Sequence, residues 1–182
     1  MSHLVWMDLE MTGLNPEYDR IIEIATIVTD SELNVIEEGP VYAISQPQHI
    51  LDGMDQWNQT HHSASGLLDR IKSEGVDIKE AEATTVAFLE KHVEERQAPL
   101  CGNTIWQDRR FLYNYMPILE SYLHYRLVDV SSIKELAKRW RPDIGNGFSK
   151  RNEHTALADI RESIAELQFY RDHFFNLDGS LD

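Results

Sequence analysis

The chain opens on a short apolar run, Val5-Trp6-Met7-Asp8-Leu9-Glu10-Met11, that ends in the turn signal Thr12-Gly13-Leu14-Asn15-Pro16. This reads as a first strand. Ile21 to Thr29, rich in β-branched residues, reads as a second. Leu33-Asn34-Val35-Ile36 and Val41-Tyr42-Ala43-Ile44 together read as a third strand bent at Gly39-Pro40. Links this short predict an antiparallel meander. From Ser63 the period changes. Ala64, Leu67, Leu68 and Ile71 fall on one helical face, and Ala83, Val86, Ala87, Leu89 and Val93 form the stripe of a second helix. Leu100-Cys101-Gly102-Asn103 is a short strand, Asp108 to Met116 a helix closed by Pro117, and Tyr125 to Val130 another strand. Ser132 with Glu135 three residues on has the spacing of a capping box, and Pro142 stops the helix it opens. After the loop Gly145-Asn146-Gly147, a long helix runs from Thr155 to Phe175. No repeat, low-complexity tract or linker interrupts the pattern. The expectation is one α/β domain over residues 1–182, a mixed sheet flanked by helices.

At 182 residues, 42% hydrophobic and 26% charged, the chain is an ordinary globular one. Its apolar runs are of strand length, which predicts no membrane span, and the start of the sequence carries no signal-peptide pattern. A single cysteine, Cys101, excludes an internal disulfide and fits a reducing, cytoplasmic setting; in its apolar run it reads as a core thiol. The sequon Asn58-Gln59-Thr60 is accidental in such a protein. The net charge of −14 is awkward for a protein that grips long polyanions, which usually carries a basic face. Between Arg126 and Arg151, however, seven basic residues face only Asp129, Glu135 and Asp143. That segment reads either as a place to hold a small anionic ligand or as a solvated helix face, and composition does not choose between them.

Asp8 and Glu10 carry the strongest chemical signal. Residues i and i+2 of a strand point to one face, so their carboxylates stand side by side in an otherwise apolar strand. Such a pair is unfavourable unless a cation neutralises it, and hard oxygen ligands without cysteine suit Mg²⁺ or Mn²⁺. Asp108 alone reads as dipole compensation in a first helical turn, and Asp159 alone as a surface acid beside Arg161 and Glu162. His154 and Asp159 are five apart, which on one helix is roughly 140°. The spacing makes sense with His154 in the loop before the last helix and Asp159 one turn inside it. His154 is then either a surface histidine at a helix start or a base free to move a proton. The pair His61-His62 has no third soft ligand nearby and is not read as a metal site.

The ordered set Asp8-x-Glu10, Asn103-x4-Asp108 and His154-x4-Asp159 resembles the three motifs of the DEDDh 3′→5′ exonucleases. Within them, the oligoribonuclease family is closer. Trp6 to Leu14, Asp19-Arg20-Ile21-Ile22-Glu23-Ile24-Ala25, Cys101-Gly102-Asn103, Gln107 to Leu112, His124-Tyr125-Arg126, Asp129-Val130-Ser131 and Asp159 to Ser163 all resemble it, from about Leu4 to Phe175. The resemblance implies a ribonuclease-H-like fold, with three antiparallel strands followed by parallel ones. It implies two divalent ions, Mg²⁺ or Mn²⁺, held by Asp8, Glu10, Asp108 and Asp159, with His154 deprotonating the attacking water. Its substrates are very short single-stranded RNAs, down to dinucleotides, cut from the 3′ end to nucleoside 5′-monophosphates.

The same resemblance implies a homodimer in which Tyr125 reaches the partner's active site; from the residues alone Tyr125 reads equally as an aromatic packing at a strand edge. It also places Leu14 and Trp57 against the bases, His62 in the pocket, and Arg126 and Ser131 on the terminal phosphate, from the second subunit. Trp57 is otherwise an aromatic in a loop. Competing readings are a DNA-preferring exonuclease of the same motif class, an inactive nucleotide-binding scaffold, and a metal-dependent phosphatase of small phosphomonoesters. The intact five-residue set argues against the scaffold, and the acidity against a long-strand enzyme.

Overall fold

The computed structural model of the chain describes residues 3–149 and 155–175. β1 (Leu4–Met11) and β2 (Ile21–Thr29) pair antiparallel, with Asp8 opposite Ala25 and Glu10 opposite Glu23. β3 (Val35–Glu38) and β4 (Tyr42–Ala43) both add antiparallel to β2. β5 (Pro99–Gly102) then lies parallel to β1, and β6 (His124–Asp129) parallel to β5. The order is β3-β2-β1-β5-β6, so β6 is an edge. This is the expected mixed sheet, antiparallel first and parallel after. The third strand is two short pieces rather than one bent strand, because proline at Pro40 removes a ladder donor where the chain turns.

The helices are α1 (Gln48–Asp52), α2 (Gln56–Ala64), α3 (Leu67–Glu74), α4 (Ile78–Leu89), α5 (Ile105–Tyr115), α6 (Pro117–Tyr122), α7 (Val130–Trp140), α8 (Pro142–Gly145) and α9 (Ala156–His173). They cover both faces of the sheet. Val5, Met7 and Leu9 of β1 pack with Leu89 of α4, Phe111 and Leu112 of α5 and Leu119 of α6. Trp6 packs the opposite way, with Val130 and Ala137 of α7 and Ile160, Ile164 and Tyr170 of α9. Strand alternation therefore sends Asp8 and Glu10 toward the α9 side. Burying these two layers supplies the main driving force, at about 25 cal/mol per Å² of apolar surface.

Several helical expectations shift. Trp57 stands on α2, not in a loop; Asp55 caps that helix by accepting from the Asn58 amide at 2.8 Å. Ala64 ends α2 instead of beginning the next helix. Gly66 separates the two with φ +77°, a conformation open to glycine at little cost. In α4 the buried face is Ala81, Thr85, Phe88 and Leu89, while Ala83 and Ala87 are exposed. Small alanines tolerate water, and buried Glu82 earns its position by accepting from the Ile118 and Leu119 amides at the start of α6. α5 begins at Ile105, ahead of Asp108, and α7 begins at Val130, capped by Asp129 through the Ser131 amide at 3.0 Å rather than by Ser132. Among the described residues, no helix is long and apolar enough to cross a membrane.

Candidate active site

The sheet and α9 bring three of the predicted acids together. Asp8 and Glu10 project from β1 and Asp159 from the first turn of α9, each offering a carboxylate oxygen within 4.8 Å of the others. Asp108 comes from the other side of β1. Its buried carboxylate accepts from the Leu9 amide at 3.0 Å, between the two β1 acids in sequence. Burial first, and then the charges of Asp108, Glu10 and Asp159, push the Asp8 carboxyl well above the usual range. Glu10 is pushed up to about 8 by burial and by Asp159, Glu23 and Asp108. Burial raises Asp108 to about 7, against the opposing pull of the Leu9 amide. These acids cannot all ionise near neutrality by themselves. The donor set is all hard carboxylate oxygen, which fits a Mg²⁺- or Mn²⁺-type ion and not a thiolate-seeking one. Asp159, which the sequence alone placed on an exposed face, is half-buried and turned inward. His154 lies outside the described residues.

His62 stands beside this cluster. Its ring is 2% exposed, and Nε2 lies 3.0 Å from the Met11 carbonyl, which can only accept. Nε2 therefore carries a proton. Burial lowers the His62 pKa, so the ring is neutral, and Nδ1, an acceptor, lies 3.9 Å from Glu10 Oε2. Along the rim, Trp57 is exposed and stacked on His61, with ring centroids 4.7 Å apart. Leu14 is 72% exposed at the tip of the β1–β2 turn. That turn is built, not loose. Asp19 accepts from Thr12 Oγ1 and the Asn15 amide, and a Cβ at Gly13 would strike its carboxylate at 2.5 Å. Gln107 donates to the Leu14 carbonyl at 2.6 Å, while Asn114 and Tyr115 both donate to Pro16. α5 thus fixes both Asp108 and the apolar tip.

Ser131, at the start of α7, donates to Asn103 Oδ1 at 3.0 Å and accepts from the Thr104 amide at 3.0 Å. Asn103 in turn donates to Ser163 and Glu166 of α9. Thr104, Gln107 and Glu23 were not singled out from the sequence. Glu23 carried a visible signal, an acid inside an apolar run, as Asp8 and Glu10 did.

Tyr125 is not brought to the cluster of its own chain. It sits on edge strand β6, 71% exposed, with the Arg126 guanidinium 5.4 Å over its ring. The register places it level with Pro99–Leu100 and so with the beginning of β1, short of Asp8. Two strand spacings across and three residues along make the separation roughly 15 Å, beyond a tyrosine's reach.

Comparison with known proteins gives a consistent picture. Residues 5–167 match the RNase T family, described as exonuclease. The chain is 63% identical over 175 residues to the oligoribonuclease of Alcanivorax borkumensis, covering 96% of this chain and 97% of that one. It is 61% identical over 176 residues to the oligoribonuclease of Pseudomonas aeruginosa, covering 97% and 98%. Among solved structures, Escherichia coli exonuclease I in complex with a dT13 oligonucleotide shares the fold, with a TM-score of 0.73 at 20% identity; the match covers 94% of this chain and 41% of that one.

Proposed function

The chain belongs to the oligoribonucleases of the RNase T exonuclease family, and from that premise we propose how its own residues carry out the reaction. It is a hydrolytic 3′→5′ exoribonuclease. Its substrates are single-stranded RNAs a few nucleotides long, down to dinucleotides, consumed in the cytoplasm. Asp8, Glu10, Asp108 and Asp159 would hold two divalent ions, Mg²⁺ or Mn²⁺. When bound, such ions neutralise phosphate charge and favour both the attacking and the leaving oxygen of an in-line displacement. His154 takes a proton from the attacking water. The new P–O bond forms as the P–O3′ bond breaks. A nucleoside 5′-monophosphate leaves, and the released O3′ takes up a proton from solvent to become the 3′-hydroxyl of the shortened chain. Trp57 and Leu14 stack and wedge the bases, and His62 lines the pocket beside Glu10.

We infer that the protein works as a homodimer, because Tyr125 is too far from its own acids to serve them. The surface beside β6 supports this. Trp106 and Tyr113 of α5, Leu136 of α7 and Tyr125 are all exposed there, large apolar side chains that a second protomer would cover. In the dimer, Tyr125 and Arg126 of one protomer close the other's pocket. With Ser131, they hold the terminal phosphate and leave no exit for a longer 5′ end.

The observation that carries this reading is the convergence of Asp8, Glu10 and Asp159, with Asp108 behind them, at a place where burial and mutual repulsion raise the acids and a divalent ion would offset them. A labelled diribonucleotide incubated with the protein and Mg²⁺ should yield mononucleotides, and excess chelator should stop the reaction. Turnover undiminished by chelator would remove the ion site. Turnover of 20-mers in preference to dimers would remove the short-substrate assignment.

A further inference from the structure

Glu23 is almost fully buried on β2, directly across from Glu10, yet it does not join the acid cluster. Both of its oxygens are occupied. Oε1 is paired with the Arg70 guanidinium of α3, and Oε2 accepts from the Ala156 amide at 3.1 Å. Arg70 is itself braced by Glu74, one turn along α3, at 2.7 Å.

Ala156 is the first residue of α9, an 18-residue helix whose own N-cap, Thr155, makes no side-chain capping bond. The first amides of a helix need acceptors from elsewhere, and the positive end of its dipole favours an anion there. Glu23 supplies both from a different element. Asp159 follows Ala156 by three positions, so the two lie one above the other on the same side of α9.

We propose that Glu23, oriented by Arg70, is a positioning residue for the reaction. It clamps the N-terminus of α9 to β2 and so fixes the axial and rotational setting at which Asp159 meets Asp8 and Glu10. The arrangement also allocates charge. Arg70 and the first amide of α9 engage both oxygens of Glu23, which leaves Glu10, its cross-strand neighbour, to face the ions. The inference rests on the ion-site reading of Asp8, Glu10 and Asp159.

Three substitutions separate reach from charge. Glu23→Gln keeps an acceptor at the same distance and loses the charge. Glu23→Asp keeps the charge and falls one methylene short of the amide. Glu23→Ala loses both. Mn²⁺ affinity of the full-length protein, by calorimetry or electron paramagnetic resonance, is the primary readout. The Mg²⁺ concentration for half-maximal dinucleotide hydrolysis is the second, and the melting temperature the third. The clamp predicts Mn²⁺ binding weakened about ten- to a hundredfold in Glu23→Ala, a loss nearly as large in Glu23→Asp, and a much smaller one in Glu23→Gln. The Mg²⁺ requirement should rise in parallel, and excess ion should recover the rate. If Glu23→Ala does not fold, the Asp and Gln pair still decides. Melting temperatures that fall while Mn²⁺ affinity holds would make Glu23 a merely structural residue and overturn the proposal. A larger loss in Gln than in Asp would assign the effect to charge and overturn it equally. A native protein that binds no Mn²⁺ would remove the ion site and the clamp together.

Discussion

Replacing Glu10 by glutamine should stabilise the ion-free protein, and by an amount that depends on pH. Inside the acid cluster Glu10 titrates at about 8 instead of an ordinary 4.5. An acid raised in this way stays protonated in the folded state while the unfolded chain releases its proton. The native state therefore binds more protons between these two values, and stability falls as pH rises through that window. Below pH 4.5 both states are protonated and nothing is lost; above pH 8 both are ionised and the full penalty is present. At about 1.4 kcal/mol for each pH unit, the interval from 4.5 to about 8 caps the penalty at about 5 kcal/mol. Asp8 and Asp108 share the same repulsion and relax when Glu10 takes a proton, so about half of that cap, 2–3 kcal/mol, is the expected loss. For a chain of this size that corresponds to roughly 4–12 °C in melting temperature. The assay is thermal unfolding in chelator at pH 5 and pH 8. The native protein should melt lower at pH 8 by more than Glu10→Gln does, and saturating Mn²⁺ should raise the native protein far more than the variant, because it replaces the missing counter-charge. A Glu10→Gln protein whose pH 5 to pH 8 difference equals that of the native chain would refute the reasoning.

His154→Ala should cost about 10²–10⁴ in turnover with Mn²⁺ affinity preserved; a variant that loses its ions instead would make His154 a ligand. Tyr125→Ala and Asp108→Ala should each be nearly inactive, and exchanging their subunits should restore activity at the composite site carrying both intact residues. No recovery in confirmed heterodimers would place Tyr125 within its own chain. Trp57→Ala should weaken dinucleotide binding by about 1–3 kcal/mol, read as a higher KM at unchanged kcat, and an unchanged KM would leave Trp57 without a stacking role. For a dinucleotide, log(kcat/KM) should fall with log[salt] at about −0.7 per phosphate held, hence no steeper than about −1.5; a slope of a long-strand binder would contradict the capped pocket.

The sequence showed most of the sheet because its strands are apolar and short-linked, and strand periodicity survives small errors of boundary. Helix faces were harder to read. Alanine fits either a core or a surface, so the expected α4 stripe was right at Val86, Leu89 and Val93, which pack on the core, and wrong at the exposed Ala83 and Ala87, while Phe88 and a buried Glu82 complete the true face. α2 was missed because Gln56-Trp57-Asn58-Gln59-Thr60-His61-His62 has almost no apolar contrast. Its helix is held by the local Asp55 cap, which is not an apolar signal, and by docking of His62 against Met11, a contact between distant parts of the chain that no local period records.

The acid cluster was legible for a different reason. A charge in the middle of an apolar strand has a cost that something must offset, and that criterion needs only the sequence. Applied evenly, it marks Glu23 as strongly as Asp8 and Glu10, since Ile21-Ile22-Glu23-Ile24 is a wholly buried run. What the criterion cannot give is the identity of the offset. For Glu23 it is a guanidinium and a helix end from residues 47 and 133 positions away. For Asp8 and Glu10, facing Asp159 instead of any cation, no comparable side chain is at hand among the described residues, and the remaining offset is a proton or an ion. At neutral pH a proton held at about 8 is readily displaced by a divalent ion that three carboxylates can share. The same strand pair thus holds two neighbouring acids with opposite fates, one satisfied by the fold and one left for the chemistry.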